Sequence, residues 1–432
     1  MKLTGWGRFP RIEARGRSFD NQEALGDYLK SVENCIAHGM GRSYGDSALN
    51  EQVIFTRRFN KILSFEPQTG TVVCESGVSL AELLDVFLPR GWFLAIVPGT
   101  KFISVGGAIA SDVHGKNHHQ VGCFSESVLA FDLMLPQGEV VRCSRQENAA
   151  LFHATCGGMG LTGVILRAEL RLVPIQSSFI WETLIPAPNL EDVVRLFEES
   201  RSATYSVAWI DCLAKNKQQG RSLVMLGEPA EAGPLTLPPA KTWTIPLGLP
   251  GFCLNQYTVS LFNYFYYRLK SKFVAGRRVS LDEFFFPLDK IAHWNKLYGP
   301  RGFTQYQLVL PKDAALSGLQ VILARIAAAG LGSFLAVLKL FGPGNANYLS
   351  FPLEGYTLAL DFKIQNRLFP FLDELDRIVL DHGGRLYLAK DVRMSREVFQ
   401  KSYPRWEQFA QIRQQYQLNQ KFHSLQSKRL GV

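Results

Sequence analysis

Three glycine-rich segments in the first 165 residues carry most of the side chains that could do chemistry. They read His38-Gly-Met-Gly-Arg-Ser-Tyr-Gly-Asp46, then Pro98-Gly-Thr-Lys-Phe-Ile-Ser-Val-Gly-Gly-Ala-Ile-Ala-Ser-Asp-Val-His-Gly115, then Gly157-Gly-Met-Gly-Leu-Thr-Gly163. Glycine at that density lets the backbone approach a ligand closely and turn its N–H groups inward. Three such loops point to one large anionic ligand, such as the diphosphate of a dinucleotide. Tyr44 stands out, because a bulky side chain amid glycines must point somewhere defined. His114 fits a catalytic ring or one that only fixes loop geometry. His118 and His119 lack the carboxylate or cysteine spacing of a metal site, so they read as loop residues and no metal is expected.

The first loop is not a Rossmann fingerprint. Gly39-x-Gly41-x-x-x-Gly45 is one residue out of register for G-x-G-x-x-G, and the stretch from Asp46 to Gln52 does not read as a long amphipathic helix. The diphosphate is therefore expected in backbone nests rather than on a helix dipole.

The elements that must position these loops alternate between strand and helix. Residues 22–32 read as a helix and Asn34 to His38 as a short strand entering the first loop. Thr71 to Glu75 is a strand, Ser79 an N-cap, and Leu80 to Leu88 a helix closed by Arg90-Gly91. Trp92 to Val97 returns as a strand into the second loop. Leu129 to Leu135 and Glu139 to Cys143 flank Pro136-Gln-Gly138 as a hairpin, and Gly163 to Val173 is a further strand. Beyond Pro174–Ser178, strands at Tyr205 to Cys212 and Phe303 to Leu310 alternate with helices near 315–329 and 368–382. The Pro/Gly-rich 228–251 stretch reads as a long connection, and 385–432 as a basic, aromatic helical tail.

At 432 residues, 47% hydrophobic and 20% charged, the chain is long and apolar enough for one large or two ordinary folded domains. A net charge of +9 favours an anionic partner: phosphorylated substrate, acidic lipid or nucleic acid. Seven scattered cysteines without C-x-x-C spacing argue against a disulfide framework or zinc site and for a reducing compartment. The start has no apolar secretory core. Between Thr242 and Tyr267 no charge occurs, but Pro246, Pro250, Gly248, Gly251 and Asn255 interrupt the stretch, so it cannot span a bilayer. Its aromatics, followed by Arg268, Lys270, Lys272, Arg277 and Arg278, suit a membrane interface or a buried aromatic loop beside a solvated basic face.

Gly41-Arg-Ser-Tyr-Gly-Asp46, Ser104-Val-Gly-Gly-Ala-Ile-Ala-Ser-Asp-Val-His-Gly-Lys-Asn-His-His119, Gly157-Gly-Met-Gly-Leu-Thr-Gly163 and Leu386-Tyr-Leu-Ala-Lys-Asp391 together resemble one flavoprotein family. It is the decaprenylphosphoryl-β-D-ribose 2-oxidase family of the vanillyl-alcohol oxidase (PCMH-type) superfamily. Phe284-Phe-Phe-Pro-Leu-Asp289, Gly302-Phe-Thr-Gln-Tyr-Gln307 and Lys339-Leu-Phe-Gly-Pro-Gly344 extend the likeness through the middle. The resemblance implies an α+β, two-domain PCMH-type fold. Residues 1–178, completed by 385–432, would form the FAD-binding domain, and residues 179–384 an antiparallel-sheet substrate domain. Gly39, Met40, Gly41, Arg42, Ser43, Tyr44, Gly45 and Asp46 would wrap the FAD diphosphate. Gly99, Ser104, Val105, Gly106, Gly107, Ser111, Asp112, Val113 and His114 would complete the cradle. Val164 would contact the adenine side, and Tyr387 would lie near the isoalloxazine. Many relatives tether FAD through a histidine in the first loop; Tyr44 stands at that position, which implies non-covalent FAD. Lys390, Tyr44, His114, Lys339, Gln307 and Lys116 would surround the substrate. Some members carry a cysteine where this chain has Ala359, so inhibitors that capture that thiol are expected to fail here.

The chemistry asks for such groups on its own account. Oxidising a secondary alcohol needs hydride transfer to the flavin and an acceptor for the hydroxyl proton. A lysine near the pyrimidine end stabilises the reduced ring. Lys390 suits that role, although Lys390 beside Asp391 also reads as a surface ion pair. Tyr44 and His114 are the candidates to relay the proton. The resemblance implies oxidation of the 2-hydroxyl of a polyprenylphosphoryl-β-D-ribose to the 2-keto sugar, a separate NAD(P)H-dependent short-chain reductase completing an epimerisation. It also implies peripheral attachment to the cytoplasmic or the periplasmic face of the inner membrane, without nucleic acid. Two rival readings are a flavin oxidase of a soluble polyol, sugar acid or aldonolactone, and a non-catalytic basic protein on membrane or nucleic acid.

Overall fold

The computed structural model describes residues 1–238, 243–244, 255–272, 276–333 and 335–432. Near the N-terminus, Arg15–Ser18, Gln52–Phe55 and Ile36–His38 form a small parallel sheet with Gln52–Phe55 in the centre. The helix Gln22–Ser31 makes the crossover, its first turn closed by Asn21 Oδ1, which accepts from Ala24 N. The first glycine segment is the connection from Ile36–His38 to Gln52–Phe55, so it leaves from a strand end as the sequence predicts.

An antiparallel sheet follows in the spatial order Val140–Ser144, Val128–Met134, Val164–Pro174, Thr71–Glu75, Ile62–Glu66. Trp92–Leu94 pairs with the end of Val164–Pro174. The alternation is that of a half-buried strand: Val72 and Cys74 are fully buried while Thr71, Val73 and Glu75 are less so. The predicted hairpin turns at Gly138, whose φ of 83° suits glycine. Leu80–Phe87 begins in a capping box, with Ser79 Oγ accepting from Glu82 N and the Glu82 carboxylate accepting from Ser79 N.

The middle of the chain builds an eight-stranded antiparallel sheet. Its order is Arg277–Ser280, Phe179–Ala187, Ser222–Pro229, Tyr205–Ile210, Ala336–Phe341, Gly355–Lys363, Phe303–Pro311, Arg385–Leu386. The period of two divides its central strands between two faces. Tyr306 and Tyr356 point to the helices Leu368–Asp381 and Leu190–Glu199, where they donate to Asp376 and Glu198. Gln305, Gln307, Lys339, Thr357, Ala359 and Asp361 occupy the other face, in register: Gln305 opposite Asp361, Gln307 opposite Ala359, Lys339 opposite Thr357.

After Arg385–Leu386 the helices Arg396–Ser402, Trp406–Gln415 and Leu425–Leu430 return to the N-terminal region. Cys35 N donates to Lys421 O at 2.9 Å and Leu425 N to Leu49 O at 2.8 Å. The end of the chain thus buttresses the first glycine segment.

Two stretches differ from the sequence expectation. Val105–Ala110 in the second glycine segment is a helix, capped by Ser104 Oγ, which accepts from Gly107 N. Burial of Val105, Ala108 and Ile109 outweighs the weak helical propensity of its glycines. The aromatic stretch is a helix over Gln256–Lys270, started by Asn255 and Thr258 in a capping box; its Thr242 and residues 245–254, and with them 239–242 and 245–251 of the expected 228–251 connection, lie outside the described residues.

Candidate active site

All three glycine segments converge on the short helix Val105–Ala110. A Cβ on Gly39 would stand 2.4 Å from Ser104 Oγ, so only glycine lets the first segment pass that close to the second. Gly106 N donates to Ser76 O at 2.8 Å, which seats the helix on the strand end. Gly157 N and Met159 N donate to Ile109 O and Ala110 O, which brings in the third segment. Lys101 is held by Asp282 at 2.8 Å. At Gly99 an added Cβ would meet nothing within 4 Å.

The first segment lies along the chain at 389–391. Tyr44 N donates to Ala389 O at 3.1 Å, and a Cβ on Gly45 would stand 1.8 Å from Asp391 O. The carboxylate of Asp46 pairs with Arg429 at 2.8 Å, and the same guanidinium reaches Asp391 at 3.0 Å. Arg42 lies over the Trp6 ring at 4.3 Å and donates to Met40 O, while Ser43 O accepts from Trp6 N. In this segment, then, the side chains of Arg42 and Asp46 brace the loop.

Lys390 Nζ sits 3.8 Å from the centre of the Tyr44 ring. That ring is buried edge-on against Phe303 at 5.3 Å, in a cluster with Trp294 and Tyr298. Burial, opposed by Asp361 and assisted by Lys339, brings Lys390 down to about 7. Burial brings Lys339 down to about 8. Burial also lifts Asp361 to about 7, although Gln305, Lys390 and Tyr298 pull the other way. Gln305 Nε2 donates to Asp361 Oδ1 at 2.7 Å and Tyr298 OH to Oδ2 at 3.2 Å. The Tyr44 phenol is pushed well above its usual range by burial first, then by Asp361 and Asp289; it is a neutral donor near pH 7.

His114 is buried against Phe341, Tyr387 and Phe351, with ring centres 4.9, 5.2 and 5.7 Å away. Burial, with Lys339, His118 and Lys390 adding, holds it well below the usual imidazole range. Its Nε2 lies 3.0 Å from Gln307 Nε2. Tyr387 stacks on Phe351 at 4.7 Å and donates to Ser111 O at 2.8 Å.

Tyr44, Lys390, His114, Gln307, Lys339 and Tyr387 therefore meet at one face of the large sheet, beside the glycine segments. The Lys116 ammonium donates to Phe284 O and lies 4.3 Å over the Phe284 ring, with Lys339 among the charges that act on it. The Asp112 side chain faces away from the cradle, since its carboxylate accepts from Ser125 N, Asn345, Asn347 and Ser350. Its φ of 39° is a strained conformation that those four bonds hold in place. The Val113 carbonyl accepts from Phe124 N, and Val164 is fully buried at its strand start. His118 Nδ1 accepts from Gly342 N and His119 bonds Ala203 O, so both rings do structural work. Sequence reasoning missed Asp361, Gln305, Tyr298 and Thr357. For Gln305, Thr357 and Asp361 the usable signal was polar residues at every second position of otherwise apolar strands.

A profile for the FAD binding domain matches residues 22–144. The chain is 36% identical to the decaprenylphosphoryl-β-D-ribose oxidase of Mycolicibacterium smegmatis, over 100% of this chain and 97% of that protein. It is 32% identical to an uncharacterised protein of Streptomyces coelicolor over 82% of this chain and 100% of the relative. The D-arabinono-1,4-lactone oxidase of Yarrowia lipolytica is 27% identical over 42% of this chain and 36% of its own length.

Proposed function

The chain belongs to the decaprenylphosphoryl-β-D-ribose oxidase family, and from that premise we propose that it oxidises the 2-hydroxyl of a polyprenylphosphoryl-β-D-ribose to the 2-keto sugar. It is an FAD-dependent oxidoreductase. Its residues fit that cofactor: glycines 39 and 106 allow close backbone approach, Gly99 leaves open space, and the buried Ser76 Oγ beside Gly106 has no partner among the described residues. Gly39 to Asp46, Gly99, Ser104 to Gly107 and the main chain of Ser111 to His114 would hold it, with Tyr387 beside the ring. When bound, FAD supplies the hydride acceptor. Tyr44 in place of a tethering histidine makes the attachment non-covalent.

Lys390 presents positive charge to the reacting centre, braced over Tyr44 and facing Asp361. Lys339, opposite Thr357 on the same sheet face, offers a second cation suited to the substrate phosphate. Residues 1–178 with 385–432 hold the cofactor, and 179–384 hold the sugar and its lipid. The helix Gln256–Lys270 exposes Tyr257, Leu261, Phe262, Phe265 and Leu269, and ends in Arg268 and Lys270. Such a face suits rings at the headgroup level and cations on lipid phosphate, so the protein works at the inner-membrane surface, on its cytoplasmic side. Among the described residues no helix is long and apolar enough to cross a membrane. The product then passes to a separate NAD(P)H-dependent reductase.

The observation that carries this reading is full-length similarity together with the Tyr44–Lys390–His114–Lys339 cluster. The test is anaerobic: polyprenylphosphoryl ribose added to yellow protein bleaches the flavin band, and acid precipitation leaves the colour in the supernatant. Bleaching by a soluble polyol but not by the lipid-linked sugar would overturn the substrate.

A further inference from the structure

We propose that Thr357, acting through Gln307, holds His114 in a single neutral tautomer with its proton on Nδ1 and its Nε2 lone pair occupied. Thr357 and Gln307 are then positioning residues, and His114 cannot accept the substrate proton at Nε2.

The inference follows from counting hydrogens. The Thr357 hydroxyl donates to Leu308 O at 2.8 Å. A hydroxyl has one hydrogen, so toward any other neighbour it can only accept. Gln307 approaches that hydroxyl at 3.2 Å, and the atom doing so must therefore be the amide nitrogen. The same Nε2 lies 3.0 Å from His114 Nε2. With one N–H directed at Thr357, the other is directed at the ring, and the ring nitrogen facing it must be unprotonated. A neutral imidazole then carries its hydrogen on Nδ1, which is buried and has no partner among the described residues. The opposite amide orientation would set Gln307 Oε1 against a hydroxyl oxygen whose hydrogen is already committed, and is disfavoured for that reason.

Charge closes the remaining alternative. An imidazolium here would be buried among Phe341, Phe351 and Tyr387 and would face Lys339, Lys390 and His118. Among the described residues no carboxylate or carbonyl is bonded to the ring. The tautomer itself does not depend on the substrate; only its bearing on turnover rests on the function proposed above. Proton acceptance then falls to another group at the site.

The test reads the ring directly. The FAD-loaded protein, labelled with 15N-histidine, is examined by long-range 1H–15N correlation, with His114→Gln identifying the His114 signals. The expected spectrum has a pyrrole-like Nδ1 and a pyridine-like Nε2 that do not titrate between about pH 5 and 8. Thr357→Val frees the amide to turn, so Nε2–H signal should appear and kcat should fall about tenfold, a barrier increase of ~1.4 kcal/mol. Thr357→Ser keeps the hydroxyl and should restore both spectrum and rate. A protonated Nε2 in the unmodified protein, or a Val variant spectrally identical to it, overturns the proposal. Should the Val variant fail to fold, the unmodified and Ser spectra still decide. Failure of the lipid-linked sugar to bleach the flavin would refute the substrate while leaving these spectra valid.

Discussion

Replacing Arg429 by Met would test how the first glycine segment, proposed above to hold the cofactor, is itself held. Arg429 bridges Asp46 at 2.8 Å and Asp391 at 3.0 Å, and the two carboxylates are only 7% and 5% exposed. Asp391 keeps other donors, accepting from Arg393 N at 3.0 Å and Met394 N at 2.7 Å. Asp46 loses its only ion pair among the described residues. Removing one partner of a buried pair costs about 3–5 kcal/mol, because the other charge is left stranded. With an unfolding entropy of about 2.1 cal/mol/K per residue, the 432-residue chain has a slope of about 0.9 kcal/mol/K. Arg429→Met should therefore melt about 3–6 °C lower.

The pH dependence gives the sign. Burial already lifts Asp46 from its ordinary 3.8 to about 6, even with Arg429 pulling it down. A carboxyl raised on folding contributes stability below its unfolded pKa that is lost as pH rises through the folded one. Without Arg429 the lift is larger, so the deficit should be small at acid pH and grow through and beyond pH 6. Adding Asp46→Asn should return part of the loss, since it removes the stranded charge. Flavin release, followed by fluorescence on dilution, should quicken in the single variant, because Gly45 rests on Asp391. A melting curve superimposable on the parent at neutral pH, or a double variant no better than the single, would refute the reasoning.

Lys390→Ala should retain FAD, as judged by its absorbance, and lose about 100-fold or more in kcat. In the parent, kcat/KM should fall as pH rises through about 7, where Lys390 loses its charge, and Lys390→Arg should move that limb upward; a limb rising with pH would instead mark Lys390 as the base. Ala359→Cys should become labelled by a thiol reagent, read by mass spectrometry. Ala359 is partly exposed on the site face, whereas the native cysteines among the described residues are all buried. Replacing Phe262, Phe265 and Leu269 by Ser should reduce flotation with anionic vesicles while flavin content stays constant; unchanged flotation removes this helix from the membrane contact.

What could be read in advance was whatever local chemistry dictates. Ser79 ahead of Leu80 to Leu88 announced a helix start, Gly138 a turn, and the dense glycines of the first and third segments a close backbone approach. The helix Val105–Ala110 was hidden because propensity argues against Val-Gly-Gly-Ala; burial of Val105, Ala108 and Ile109, the Ser104 cap and the bond from Gly106 N to Ser76 O stabilise it. The aromatic helix was hidden because the consecutive rings from Tyr264 to Tyr267 blur any period of 3.6. Asp361 and Thr357 escaped because their roles depend on which strand lies beside which. Gln305 opposite Asp361, and Lys339 opposite Thr357, are facts of register, and register between strands distant in sequence is not written locally. Asp112 shows the converse: a residue inside a recognisable motif whose side chain turns elsewhere.

The bridge from Arg429 to Asp46 joins residues 383 positions apart. During synthesis the cofactor loop leaves the ribosome about 20–80 s before its last brace does, at 5–20 residues per second. Flavin capture should therefore wait until Arg429 has emerged to pair with Asp46. Nascent chains halted before the final helix should come off the ribosome colourless, and cellular flavin supply should act on the finished polypeptide.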